Sequence, residues 1–302
     1  MVKPPLPASI NPSPEVLFSM YALRRAWQQV RRSGDSPGSD GVKMTEFEGR
    51  LDMELNRLRQ QMLNGSYQPQ PIRRFYIRKA SGKQRPISLW SLRDRVAQRV
   101  VHDYVSIILE PIFLDCSYGF RLGRTVQQAV QAIIQGRDAG LIWVLDTDIA
   151  DCFSSIPLDI LYGQVKRIVP SELAVHLIER WLHTSVIGIP SEVAGVSQGG
   201  VISPLLANLY LHRFDEMITA AMAQARMVRF ADDFIIQART EQEVVWSLEV
   251  ARHSLAMLKL SLNPRKTRVI TFDEGFTFLG IPFKGDQPNL ATLSQLKLEE
   301  DA

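Results

Sequence analysis

The stretch "MVRFADDFIIQ", residues 227–237, sets two adjacent carboxylates, Asp232 and Asp233, in the middle of an otherwise apolar run. Both flanks, Met227 to Phe230 and Phe234 to Ile236, favour strands, so the pattern predicts a tight hairpin with the acids at its tip. Side-by-side carboxylates buried without a counter-cation would push at least one of them toward protonation. A solvated turn and a cation site both escape that penalty. A second run, "LIWVLDTD" at 141–148, is another apolar strand ending in acids, and its period of two puts Asp146 and Asp148 on one face. Two such strands, far apart in sequence, fit neighbouring places in one sheet. A pair of Mg²⁺ ions held about 3.5–4 Å apart between Asp148 and Asp232 would neutralise the acids and serve a phosphoryl transfer. Magnesium suits such a site because it prefers oxygen ligands and keeps water and phosphates in its shell.

The charge distribution points the same way. The chain of 302 residues carries a formal net charge of only +3, but Arg73 to Arg99 holds nine basic residues against the single acid Asp94, leaving the remainder net acidic. One lobe gripping a polyanion and another carrying metal-binding carboxylates would give that split. A basic hairpin could hold a triphosphate, with Arg85 forming charge-assisted bonds and Lys79 acting as a point charge. With 45% apolar residues the chain can build a full core. It has no apolar run of spanning length, and its first residues are too rich in proline for a signal peptide, so the expectation is a soluble, cytoplasmic protein with no membrane partner. Cys116 and Cys152 have no zinc-ligand spacing and are expected to be ordinary buried thiols.

Helical spacing starts near Glu15 and stops in the glycine- and proline-rich loop at 33–42, and a second helix is predicted over Met44 to Leu63. "RRFYIRKASGKQRPISL" reads as two β-runs joined by a Ser-Gly turn. Helices follow over Leu92 to Leu109, from Ser203 onward and from Glu241 to Leu258, with further strands in "LSLNPRKTRVITF" and "FTFLGIPF". The order predicts an α+β fold, an antiparallel sheet with helices on one face.

The residues then carry a resemblance. "SDGV", "YIRKASGKQRPISLWSLRDRVAQRVV", "SYGFRLGRTVQQAV", "LDTDIADCFSSI", "GVSQGGVISPLLANLYLHRFDEMI", "VRFADDFII", "LNPRKTRVI" and "FTFLGIPF" are similar, in order, to the blocks of a prokaryotic reverse transcriptase of the group II intron-like type, from about Gly38 to Gly285. The resemblance implies a right-hand polymerase fold of fingers and palm and an RNA-directed DNA polymerase using two Mg²⁺ ions. It implies a flexible N-terminus at 1–15, mainly fingers with the start of the palm at 16–140, mainly palm at 141–285, and at 286–302 a tail or the start of a missing thumb. Asp148 and Asp232 become metal ligands, with Asp233 completing the cluster and the Ile149 carbonyl assisting. Phe153 falls at the family's aromatic steric gate against a ribose 2′-OH. Lys79 and Arg85 would contact the triphosphate, Asp151 would bring its backbone near it, Gln198 and Gly199 would line the nucleotide pocket, and Lys266 would protonate the leaving pyrophosphate.

Departures from the family pattern are Phe230 where most relatives have Tyr, Ser197 where proline is usual, and "SLWSL" in the fingers block. Asp146 stays a rival metal ligand, since it shares a strand face with Asp148. An RNA-dependent RNA polymerase and a catalytically silent nucleic-acid scaffold are the competing readings. The implied partners are an RNA or DNA template with primer, dNTPs, and a CRISPR integrase or a fused thumb domain. Intron mobility, CRISPR spacer acquisition and phage defence are the roles that relatives suggest.

Overall fold

The computed structural model describes residues 11–78, 84–188, 195–222 and 224–290. In chain order the elements are α1 (Pro14–Leu17), α2 (Met20–Arg32), α3 (Met44–Gly49), α4 (Leu51–Leu63), β1 (Arg73–Arg78), β2 (Gln84–Leu89) and α5 (Leu92–Leu109). Next come α6 (Val126–Asp138), β3 (Trp143–Asp148), α7 (Cys152–Ser155), α8 (Leu158–Ile168), α9 (Glu172–Leu182) and α10 (Ser203–Ala221). The chain closes with β4 (Arg226–Phe230), β5 (Asp233–Ala238), α11 (Glu241–Met257), β6 (Arg268–Thr271), β7 (Phe276–Phe278) and β8 (Ile281–Phe283). Among the described residues no helix is long and apolar enough to cross a membrane.

Two compact units form, and they interleave in sequence: Met1–Pro111 with Pro157–Leu206, and Ile112–Ile156 with Ala207–Ala302. The expected contiguous division at 140/141 differs from this, because residues 112–140 pack with the sheet that begins at β3 whereas 157–206 pack with the N-terminal helices. The basic run and the carboxylate-bearing strands fall in different units.

In the first unit, helix faces follow from apolar spacing. Leu23, Ala26, Trp27 and Val30 recur along one side of α2 and are buried, with Trp27 against Phe47 at 4.8 Å between ring centroids. Ser19 caps α2 by accepting from the Ala22 N–H, which breaks the single helix expected from Glu15 into α1 and α2. The helix expected over 44–63 likewise divides at Arg50, which has left helical geometry. β1 and β2 pair antiparallel from Arg73↔Leu89 to Arg78↔Gln84; the expected Ser-Gly turn lies outside the described residues.

The +8 run of 73–99 does not act as one patch. Arg93 donates to Gln61 and to the Gln68 carbonyl, Arg95 to the carbonyls of Trp90, Ser36 and Pro37, and Arg99 pairs with Asp103. Arg93 and Arg95 tie α5 to its surroundings, and Arg99 pairs within the helix. The exposed cations of the hairpin, Arg73, Arg78 and Arg85, remain for an anion.

In the second unit the sheet order is β4-β5-β3-β6, antiparallel throughout. Its regular register fixes the faces. Val144, Ile235, Val228 and Phe230 share a face and pack with Ala129, Val130 and Ile133 of α6 and with Phe272, Phe276 and Phe283. Each fully buried apolar side chain of that size contributes about 1.5–3 kcal/mol. Phe234, of opposite parity, stands 5.2 Å from Phe214 of α10. On β5, α6 packs against one face through its apolar stripe and Phe214 of α10 against the other.

Candidate active site

The hairpin separates the two adjacent acids. β4 ends at Phe230 and β5 begins at Asp233, so only Ala231 and Asp232 form the turn, and Ala231 takes a left-handed backbone with φ 56°. A positive φ at the first central residue matches the twist of a two-residue hairpin. Asp233 is a strand residue, opposite Phe230 on one side and Asp148 on the other. The Ile149 N–H donates to the Asp232 carbonyl at 3.0 Å, and the Asn263 N–H donates to the Asp148 carbonyl at 2.9 Å. Paired backbones thus bring the ends of β3 and β5 to the loop before β6.

Lys266 sits among these acids. Its Nζ is 2.6 Å from Asp148 Oδ2 and 3.4 Å from Asp233 Oδ1. Burial alone lowers the ammonium's pKa, but the hydrogen bond to Asp148 and the charges of Asp233 and Asp148 outweigh it and raise the value. Lys266 is therefore held protonated. Burial also pushes the Asp233 carboxyl up, the Asp232 charge adds to this, and Lys266 opposes it. Asn263 shapes the loop: its side chain accepts from the Arg265 N–H, and its carbonyl accepts from the Lys266 and Thr267 N–H groups. The sequence reading passed over Asn263, although Asn before Pro is a turn signal.

Asp146 is engaged elsewhere. It lies opposite Arg268 across β3 and β6, with Arg268 Nη2 at 2.5 Å from its Oδ2. Burial raises its pKa against the pull of that arginine. The cross-strand cation occupies the rival ligand. Asp148 keeps a buried Oδ1 with no hydrogen-bond partner, an oxygen suited to a cation. Among the described residues no three His, Cys, Asp or Glu side chains stand gathered as a metal cage. Asp148 and Asp233 both reach the Lys266 ammonium, and Asp232 adjoins them in the turn, with its carbonyl on the Ile149 N–H.

After β3, Asp151 adopts a left-handed backbone, φ 44°, at the start of α7. A non-glycine residue held there stores strain of the kind that clusters at functional sites. Phe153 in α7 is buried to 8% exposure. Cys152 is buried and Cys116 half-buried, neither in a disulfide. Burial pushes both thiols far up, Cys116 to about 12.

Gly119, which the sequence reading left without a role, abuts the hairpin. A Cβ there would lie 2.6 Å from the Ala231 nitrogen and 2.9 Å from the Phe230 ring. Gly119→Ala must displace the turn, and overpacking of this kind costs about 1–3 kcal/mol. Urea denaturation is expected to show that loss, and an unchanged midpoint would contradict the close approach.

In the first unit, three of the expected nucleotide-side residues come together. Arg85 Nε donates to Gln198 Oε1 at 3.1 Å, and the Ser88 N–H donates to the Gln198 carbonyl at 2.7 Å. Gly199 has φ 103°, and a Cβ on it would meet the Ser88 carbonyl oxygen at 2.3 Å, so only glycine lets this loop lie against β2. The Ser88–Gln198 bond holds the loop where Ser197 replaces the usual proline. Lys79 lies outside the described residues.

Residues 77–283 match the family described as reverse transcriptase (RNA-dependent DNA polymerase). Protein YkfC of Escherichia coli K12 is 32% identical over 82% of this chain and 76% of its own length. The group II intron-encoded protein LtrA of Lactococcus lactis is 31% identical over 62% of this chain, and the match spans only 32% of LtrA. Among solved structures, telomerase from Candida albicans aligns over 74% of this chain and 47% of that one, with a TM-score of 0.58 and 12% identity, a likeness of fold.

Proposed function

The chain belongs to the reverse transcriptase family, RNA-directed DNA polymerases, and from that premise we propose that it extends a primer 3′-OH along an RNA template with dNTPs by a two-metal phosphoryl transfer. Members of the family use divalent metal ions. The observation that carries the finer reading is the Lys266 ammonium held between Asp148 and Asp233, at the ends of two paired strands: the carboxylates already gather a cation.

In this reading Asp148, Asp232 and Asp233 are the anionic donors for two Mg²⁺ ions, which would lower the pKa of the primer hydroxyl and neutralise charge on the leaving oxygen. Lys266, protonated by its acidic neighbours, holds its proton at Nζ ready for the departing pyrophosphate. Phe153 places an aromatic ring against the sugar and excludes a 2′-OH. Arg85, bonded to Gln198, is the cation we assign to the triphosphate, with Lys79 as a second; a contact by the Asp151 backbone is what the family resemblance implies. Gly199 keeps the pocket wall low. Removal of divalent metal by chelation is expected to stop incorporation, and added Mg²⁺ to restore it; extension that persists in excess chelator would overturn the two-metal reading. A silent scaffold predicts no incorporation under any metal.

Arg85→Ala is expected to raise the KM for dNTP more than it weakens template binding. A charge-assisted hydrogen bond is worth roughly 1.5–3 kcal/mol, which corresponds to about 10–150-fold in KM. Steady-state kinetics beside a filter-binding titration separate the two effects, and equal losses would reassign Arg85 to the template track. For the setting, the resemblance supports a CRISPR integrase or a fused thumb domain as partner. Reconstitution with an integrase encoded beside the gene tests the first, and absence of any complex would count against it.

A further inference from the structure

Beneath the hairpin lies a buried ion pair that the chemistry above does not use. Arg229 and Asp215 are both fully buried, and the guanidinium grips the carboxylate with two bonds, Nε to Oδ1 at 2.7 Å and Nη2 to Oδ2 at 2.6 Å. Nη2 also donates to Ser117 Oγ at 2.8 Å, and Nη1 to Asn208 Oδ1 at 2.9 Å. One further bond points at the turn: Nη1 donates to the Ala231 carbonyl at 2.9 Å.

The main chain of Arg229 and its partner Asn208 are themselves held in place. The Arg229 N–H donates to the Cys116 carbonyl, and the Arg229 carbonyl accepts from the Tyr118 N–H, each at 2.8 Å. Asn208 Nδ2 donates to the Gly119 carbonyl at 2.7 Å, and Gly119 lies against the Ala231 nitrogen. Desolvation works to lower the Arg229 pKa, but the Asp215 charge and hydrogen bond overcome it and raise the value, so the cation persists. A buried ion pair is weak support for stability, since an apolar pair of similar volume often does as well. What an apolar pair cannot do is hold a carbonyl. Only a planar fork with several donors can grip Asp215, Asn208 and the turn at once.

We propose that Arg229 is a positioning residue for the metal-binding hairpin: anchored by Asp215 and Asn208, it holds the Ala231 carbonyl and so fixes the left-handed turn that presents Asp232. The proposal rests on the reading of Asp232 as a metal-binding carboxylate. It assigns Asp215, Asn208 and Ser117 the role of holding Arg229, and none of them touches substrate.

The test is the double variant Arg229→Met/Asp215→Leu, which removes both charges together and so avoids a lone buried ion. Its melting temperature is expected to fall by only a few degrees, since the lone buried charge is avoided but Asn208 Oδ1 and the Ala231 carbonyl lose their donor. Its kcat for primer extension is expected to fall about 10²-fold, the scale of a small misplacement of a reacting group. The KM for dNTP is expected to stay within about twofold, as for loss of an interaction felt only in the transition state. Amide hydrogen exchange in the peptide spanning 230–234 should quicken about tenfold while α6 and β7–β8 keep their protection. If the double variant does not fold, Arg229→Lys, which keeps the charge but not the fork, is measured by the same readouts. Wild-type kcat with wild-type exchange in either variant would overturn the proposal. Should the wild type itself extend no primer, the functional reading fails, and the exchange of 230–234 alone decides whether Arg229 holds the turn.

Discussion

Asp232→Asn is expected to cut nucleotide incorporation by at least about 10²–10³-fold, the scale of losing a group that stabilises charge developing in the transition state. The substitution keeps the shape of the turn. The Asp232 carbonyl accepts from the Ile149 N–H and the left-handed Ala231 precedes it, and the substitution leaves these backbone features in place. Melting temperature should therefore hold. Affinity for primer–template should hold as well, because sequence-independent binding rests on phosphate contacts by cations, for which exposed arginines such as Arg73 and Arg78 are available, rather than on an acid. Rapid-quench primer extension beside a binding titration separates the effects. Extension at a sizeable fraction of the wild-type rate would remove Asp232 from the metal site, and a parallel loss of binding would make it a structural acid.

Phe153→Val is expected to admit ribonucleotides, lowering the preference for dATP over ATP by about 10–200-fold, the range that steric and apolar pocket contacts supply. Phe153 is 8% exposed and sits two residues after the left-handed Asp151. Shrinking its ring opens space at the sugar and leaves β3 and Asp148 in place. The measurement is the ratio of kcat/KM for the paired nucleotides. An unchanged ratio with surviving activity would make Phe153 a core residue, the reading its burial alone suggests. An RNA-dependent RNA polymerase would differ already in the wild type, by accepting ATP as well as dATP.

The strands and their acids were legible because alternation and a polar end are local signals. "LIWVLDTD" and "VRFADDFII" give β3, β4 and β5, and α5 runs over the same residues that its spacing predicts, Leu92–Leu109. Other features are set by partners distant in sequence. Nothing local in α6 says that Gly136 must be small, yet a Cβ there would lie 2.4 Å from Gln237 Oε1, a side chain on β5. That Asp146 pairs with Arg268, 122 residues on, follows from the register of β3 against β6, and Asp148 meets Lys266 through the loop that leads into β6. Arg229 reads in sequence as one more strand residue beside the acids; only the fold brings Asp215, Asn208 and Ser117 around it. The α1/α2 break at Ser19 was visible in principle, since Ser is a strong N-cap, but the apolar spacing runs through it. The resemblance reached further than periodicity. It singled out Lys266 and Gln198, which no local pattern marks, and the structure sets the first against Asp148 and the second against Arg85.

The most direct test is primer extension on an RNA template by the purified 302-residue chain, with dNTPs or rNTPs, with Mg²⁺ or with chelator, and with Asp232→Asn as the matched control. The account predicts template-complementary DNA product only with dNTPs and Mg²⁺ and only from the wild type. Product of equal yield from Asp232→Asn, or extension that survives chelation, would contradict it.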